Sequence, residues 1–131
     1  MPRLLIADDE ESICFSMSEY FSMHGYEVDT AREPDEVESL LASKDYIAVI
    51  QDLRLSKIGN AEGLNTIRMI RQRNPRTKII VLTAYGSAEM EEEARGCGAD
   101  VFLRKPKPLS EVAQILHGLI EAPLRQLSRP A

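Results

Sequence analysis

The chain has 131 residues, 44% of them hydrophobic and 28% charged, and carries a net charge of −5. A chain of this length fits one domain that buries roughly two-thirds of its unfolded surface, so it needs neither disulfides nor a structural metal. The acidic balance argues against sequence-independent binding of nucleic acid. Cys14 and Cys97 lack the Cys/His company of a zinc site and read as buried thiols of a reducing cytoplasm. The apolar run after Met1-Pro2-Arg3 is too short for a signal peptide, and no window approaches a membrane span. The expectation is a cytoplasmic monomer or loose dimer.

In chain order, Arg3–Ala7 reads as a buried strand. Glu10–His24 reads as a helix with Ile13, Met17, Tyr20, Phe21 and His24 at helical spacing, stopped by Gly25. Glu27–Thr30 is a short, more polar strand near one side of the sheet, and Pro34 opens a helix that uses Val37, Leu40 and Leu41 up to about Lys44. Tyr46–Gln51 is a deeply buried strand, 52–61 a loop, and 62–73 a helix with Leu64, Ile67 and Ile70 or Arg71 inward, ended by Asn74-Pro75. Lys78–Leu82 is a strand, followed by a helix over 86–95 with a thin apolar face and a Gly96-Cys97-Gly98 stop. Asp100–Arg104 is the last strand and Leu109–Ile120 the last helix. Residues 122–131, with Pro123 and Pro130, read as a tail or the start of a linker, which leaves 1–121 as the domain. Strands this continuously apolar, alternating with helices, call for a parallel sheet covered on both faces.

Such sheets place their sites along the carboxyl edge of the strands. Asp8-Asp9-Glu10, Asp52, Thr83 and Lys105 each follow one of the apolar runs and so meet on that edge. Carboxylates held close repel, and a hard cation such as magnesium relieves them through oxygen ligands. Capping of the following helix is the alternative for these acids, and it accounts for one or two of them. Asp52 has two open roles, as a ligand only or as a nucleophile that accepts a phosphoryl group. The second role needs a hydrogen-bond donor and a positive charge on the transferred oxygens, which Thr83 and Lys105 supply.

With these residues assembled, the chain resembles the receiver domain of bacterial two-component response regulators. The resemblance is carried by LLIADDE at 4–10, VIQDLRL at 49–55, IIVLTAYGS at 79–87 and GADVFLRKPK at 98–107, and it covers residues 3–121. It implies a flavodoxin-like, doubly wound α/β fold of five parallel strands in the order 2-1-3-4-5 with five helices. It further implies Asp52 as phosphoacceptor, Asp9 as direct magnesium ligand, Asp8 as an acid acting through water, and the Arg54 backbone carbonyl as a ligand. Thr83 would be the switch hydroxyl, Lys105 the lysine that pairs with the phosphoryl group, Lys105-Pro106 a cis peptide, and Phe102 the switch aromatic or a plain core residue. The implied partners are a histidine kinase or phosphotransfer protein and a downstream protein or attached output domain, reached through the fourth helix, last strand and last helix. The implied assembly is a monomer or a phosphorylation-dependent dimer, with no membrane and no direct nucleic-acid contact. Competing readings are a phosphorylation-independent interaction module and a magnesium-dependent phosphatase. The phosphatase lacks support because Arg54 stands where a second acid is expected.

Several residues depart from the family pattern. Ser56 replaces a proline, the loop 56–62 is about three residues long in excess, Gln51 replaces an apolar or acidic residue, and Lys107 replaces an aromatic. Arg54 and Tyr85 occupy positions that flank the path of an attacking water in this family, which leads to an expectation of slow self-dephosphorylation. Glu89, Glu91, Glu92 and Glu93 read as a solvated helix face or a partner surface. Arg68, Arg71, Arg73, Arg76 and Lys78 read as a solvated basic cluster, and His24 and His117 carry no assigned role.

Overall fold

Strands that expose no face to water need apolar side chains on both sides, and Leu4 to Ala7, Ala48 to Ile50 and Ile79 to Val81 meet that need with at most 2% exposure. The computed structural model describes residues 1–55 and 60–128, apart from the side chains of 60–61 and 122–128. The elements are β1 (Arg3–Ala7), α1 (Glu11–Met23), β2 (Glu27–Ala31), α2 (Pro34–Ser43), β3 (Ala48–Gln51), α3 (Asn60–Arg73), β4 (Lys78–Thr83), α4 (Ala88–Cys97), β5 (Val101–Arg104) and α5 (Leu109–Ser128). All neighbouring strands pair in parallel, in the order β2-β1-β3-β4-β5. The expected flavodoxin-like topology is therefore observed.

Alternation along the strands splits the core in two. Leu5, Val49, Ile79 and Val81 face α2, α3 and α4, where they meet Val37, Ile67, Ile70 and Ala94. Leu4, Ile6, Ile50 and Ile80 face α1 and α5, where they meet Met17, Phe21, Val112 and Leu116. Cys14 and Cys97 are both buried free thiols, one in each half.

Three helix ends differ from the periodicity, and at α4 local chemistry gives the reason. α4 begins at Ala88 rather than Gly86, because the Ser87 side chain accepts the Met90 N–H at 3.1 Å and so acts as the N-cap. α3 begins at Asn60, two residues ahead of Glu62. α5 runs to Ser128 instead of stopping near Ile120, so the backbone of 122–128 is helical where a tail was expected. Residues 56–59, which hold Ser56 and most of the expected long loop, lie outside the described residues, as do 129–131.

The solvated reading of the basic cluster fails at Arg71. Its guanidinium donates to the carbonyls of Gly98 at 2.7 Å, Thr77 at 2.8 Å and Pro75 at 2.9 Å, and to Asp100 Oδ2 at 3.0 Å. Asp100 Oδ2 also accepts the Ile79 N–H at 2.8 Å. Gly98 has φ +122°, and a Cβ there would lie 2.9 Å from Arg71 Cβ. Arg71 thus clamps the ends of α3 and α4 to the amino edge of β4, remote from the carboxyl edge. Arg71→Ala is expected to lower unfolding stability by about 2–3 kcal/mol, because several carbonyls and one carboxylate lose their donor. Urea titration checks the loss, and magnesium affinity should stay that of the wild type.

Candidate functional site

The carboxyl edge gathers the expected residues. Asp8 follows β1, Asp52 follows β3, Thr83 ends β4 and Lys105 follows β5. Backbone ladders continue one step past each strand: Asp8 N–H donates to Ala31 O at 3.0 Å, Asp52 N–H to Ala7 O at 2.9 Å, and Lys105 N–H to Thr83 O at 2.9 Å. The side chains therefore leave rigid strand ends rather than free loops. The Lys105-Pro106 peptide is cis, as expected.

The centre is an ion-pair bridge. Lys105 Nζ lies 2.7 Å from Asp8 Oδ2 and 3.1 Å from Asp52 Oδ2. Asp8 is 3% and Asp52 4% exposed, so the ammonium neutralises two nearly dry carboxylates at once. Each carboxylate spends its other oxygen on a tight turn: Asp8 Oδ1 accepts Glu10 N–H at 2.9 Å, and Asp52 Oδ1 accepts Arg54 N–H at 3.2 Å. Burial holds the Asp8 carboxyl above its ordinary value, outweighing the hydrogen bond and charge of Lys105. Burial alone would pull the Lys105 ammonium down, but Asp8 and Asp52 outweigh it and leave it raised.

The donor set fits a hard divalent cation. Carboxylate oxygens of Asp8, Asp9 and Glu10 lie within 4.8 Å of one another. Lys105 provides one positive charge for a site with carboxylates from Asp8, Asp9, Glu10 and Asp52, which leaves an excess that a cation relieves. Glu10 is the residue before α1 and makes no side-chain cap, so helix capping does not account for its carboxylate. An open cleft of about 290 Å³ lies over the bridge, lined by Asp9, Glu10, Asp52, Arg54, Tyr85 and Lys105. A larger groove of about 510 Å³ between α2 and α3 shares none of these residues.

Arg54 and Tyr85 close one side of the cleft together. Arg54 Nη1 donates to Tyr85 Oη at 2.6 Å, and the guanidinium carbon stands 4.8 Å from the ring centroid. Thr83 is fully buried, and its Oγ1 accepts Tyr85 N–H at 3.1 Å. Phe102 is 8% exposed and points inward, in the apolar half under α2–α4. Gly86 permits this packing, since a Cβ there would lie 3.1 Å from Phe102 Cε1. Lys107 reaches toward Glu111 at 3.8 Å, away from the bridge. On α4, Glu89, Glu92 and Glu93 are exposed, whereas Glu91 pairs with Arg95 at 3.1 Å.

Sequence reasoning placed Asp8, Asp52 and Lys105 on one edge, with Lys105 directed to a phosphoryl group; it missed the ion-pair bridge itself and two contacts around it. Cys14 Sγ donates to Asp8 O at 3.2 Å, and Gln51 Nε2 donates to Gly63 O at 2.8 Å. Gln51 was visible as an unexpected residue; nothing in the sequence paired it with Gly63.

A 2-1-3-4-5 sheet with buried acids, a hydroxyl and a lysine on its carboxyl edge defines a flavodoxin-like domain with an acidic, phosphate-compatible site. The family model for the response regulator receiver domain matches residues 4–117, and the chain belongs to that family. It is a receiver domain of two-component response regulators, a class of signalling module rather than a classical enzyme. It is 29% identical over 119 residues to the regulatory protein AtoC of Escherichia coli K12, covering 91% of this chain and 25% of AtoC. The chain thus spans only a quarter of that relative's length. The non-phosphorylated HemR receiver domain of Leptospira biflexa superposes with a TM-score of 0.83 at 29% identity, covering 100% of this chain and 99% of that one. The response regulator TrrA of Thermotoga maritima, solved with Mg2+-BeF, gives 0.78 at 32% identity, covering 91% of this chain and 99% of that one. Among the described residues, no helix is long and apolar enough to cross a membrane.

Proposed function

We propose that Asp52 accepts a phosphoryl group from a phosphohistidine of a histidine kinase or phosphotransfer protein. The observation that carries this is the Lys105 bridge, which holds a buried Asp52 beside a counter-charge at the floor of an open cleft. Asp8, Asp9, Asp52 and the Arg54 carbonyl would hold Mg2+, which supplies positive charge to the phosphoryl oxygens. A relative with this fold was solved with Mg2+-BeF, which supports that assignment.

A carboxylate oxygen of Asp52 attacks phosphorus in line. The new O–P bond forms as the P–N bond to histidine breaks, and the electron pair leaves with the imidazole. Lys105 moves from pairing two carboxylates to pairing Asp8 and the phosphoryl group. Thr83 Oγ1 gives up its bond from Tyr85 N–H and donates its own proton to a phosphoryl oxygen. That step draws the β4–α4 loop inward and changes the packing around Phe102. The α4–β5–α5 face then alters its affinity for a downstream protein or attached output domain, in a monomer or a phosphorylation-dependent dimer in the cytoplasm.

Acetyl phosphate with Mg2+, followed by intact mass, tests this. One phosphoryl adduct is expected in the wild type and none in Asp52→Asn. No adduct in either would favour an interaction module that keeps only the fold. Steady hydrolysis of a phosphomonoester would favour the phosphatase.

A further inference from the structure

Gln51 ends β3 immediately before Asp52 and is fully buried. It pairs in register with Ala7 on one side and Val81 on the other, and the strand period places it on the same apolar face as Val49, under α3. Its Nε2 donates to the carbonyl of Gly63, in the first turns of α3, at 2.8 Å. Its Oε1 is buried with no hydrogen-bond partner among the described residues. An apolar side chain of equal length would fill this space without stranding an oxygen, so packing alone gives no reason for an amide.

The amide adds a fixed tie between the end of β3 and α3. Gly63 also presses on the residue that follows Asp52, because a Cβ at 63 would collide with the Leu53 carbonyl. Gln51 and Leu53 flank Asp52 in sequence, and both rest on Gly63. Leu53 and Leu55 are fully buried, so the backbone from 51 to 55 is held on its inner side by α3. Within that segment Asp52 Oδ1 accepts the Arg54 N–H at 3.2 Å.

We propose that Gln51 is a positioning residue for the Asp52 site. It sets the backbone that aims the Asp52 carboxylate and the Arg54 carbonyl, and it rests on the phosphoacceptor reading above. Groups behind metal ligands act in this way, by orienting what touches the ion.

The test is Gln51→Met, which keeps the length and removes the donor. Titration calorimetry with Mg2+ alone should show affinity about tenfold weaker than wild type. The urea midpoint should be equal or higher, since no oxygen is left stranded. A merely structural role would lower the midpoint and leave magnesium affinity unchanged. Unchanged affinity in Gln51→Met, with binding lost in Asp9→Asn, overturns the role of Gln51 alone. Full binding in Asp9→Asn overturns the site reading and this proposal with it. A wild-type measurement covers a variant that does not fold: the Gln51 side-chain amide resonances should shift along the Mg2+ titration. Resonances that stay fixed while those of Asp9 move overturn the proposal.

Discussion

Lys105→Met is expected to abolish labelling by acetyl phosphate and to destabilise the metal-free protein by about 3 kcal/mol, since it strands buried charges. For a chain of this size that is a fall in melting temperature of about 10 °C. The cause is geometric: the variant leaves Asp8 and Asp52, 3% and 4% exposed, facing each other with no counter-charge. Mg2+ should stabilise the variant more than the wild type, because it no longer meets the repulsion of an ammonium. At about 100 times its Kd the ion contributes about 2.7 kcal/mol, close to what the substitution removes.

The same bridge sets a pH dependence whose sign follows from the shifts. The Asp8 carboxyl is raised in the folded state, so between the ordinary carboxylate value and the raised one the folded chain holds more protons than the unfolded chain. The Asp8 contribution to the stability of the metal-free protein falls as pH rises through that window and is flat above it. Lys105 works at the other end: its raised value gives stability that is full below the ordinary lysine value and lost as pH climbs through the folded one. In Lys105→Met the alkaline loss should shrink to the part carried by the remaining raised groups, the Tyr26 and Tyr46 hydroxyls among them, and the acid window should widen upward because Asp8 no longer has its partner. Melting temperatures across pH without Mg2+ check both signs. A variant that melts like the wild type at every pH would show that the bridge carries no net charge stabilisation.

The sheet was legible because a parallel strand buried on both sides leaves a continuous apolar run, and every site residue stands next to one. Asp8, Asp52, Thr83 and Lys105 are far apart in sequence, yet a single topological rule puts them on one edge. Helix limits were less legible, since Ser87 decides the start of α4 through one side-chain hydrogen bond that periodicity does not register. Arg71 was misread for a related reason. Four neighbouring basic residues made it look like part of a wet face, whereas its partners are backbone carbonyls, which leave no mark in a sequence. Gln51 is the intermediate case, conspicuous for its residue type but silent about Gly63. Glu10 was read as a helix-start residue, and that placement holds, but its carboxylate also sits with those of Asp8 and Asp9.

The aspartyl phosphate should be long-lived, and the Arg54–Tyr85 pair should be the reason. Hydrolysis needs a water in line with the Asp52 O–P bond, and that water must come through the open side of the cleft. Arg54 and Tyr85 both line that cleft, linked by a 2.6 Å hydrogen bond and by a guanidinium stacked 4.8 Å from the ring centroid. Each side chain alone is partly exposed and free to swing; tied together they form a screen with fewer open rotamers. Tyr85 is also anchored at its backbone, whose N–H donates to Thr83 Oγ1. Arg54→Ala with Tyr85→Ala should shorten the phosphoryl lifetime about tenfold, equivalent to about 1.4 kcal/mol of barrier. Each single variant should give more than half of that free energy if the pair acts as a unit, because removing either side chain already unties the other. The decay of the adduct after gel filtration into Mg2+ buffer, followed by intact mass, measures it. An unchanged lifetime in the double variant would mean that water reaches phosphorus by another route, and the screen would have to be abandoned.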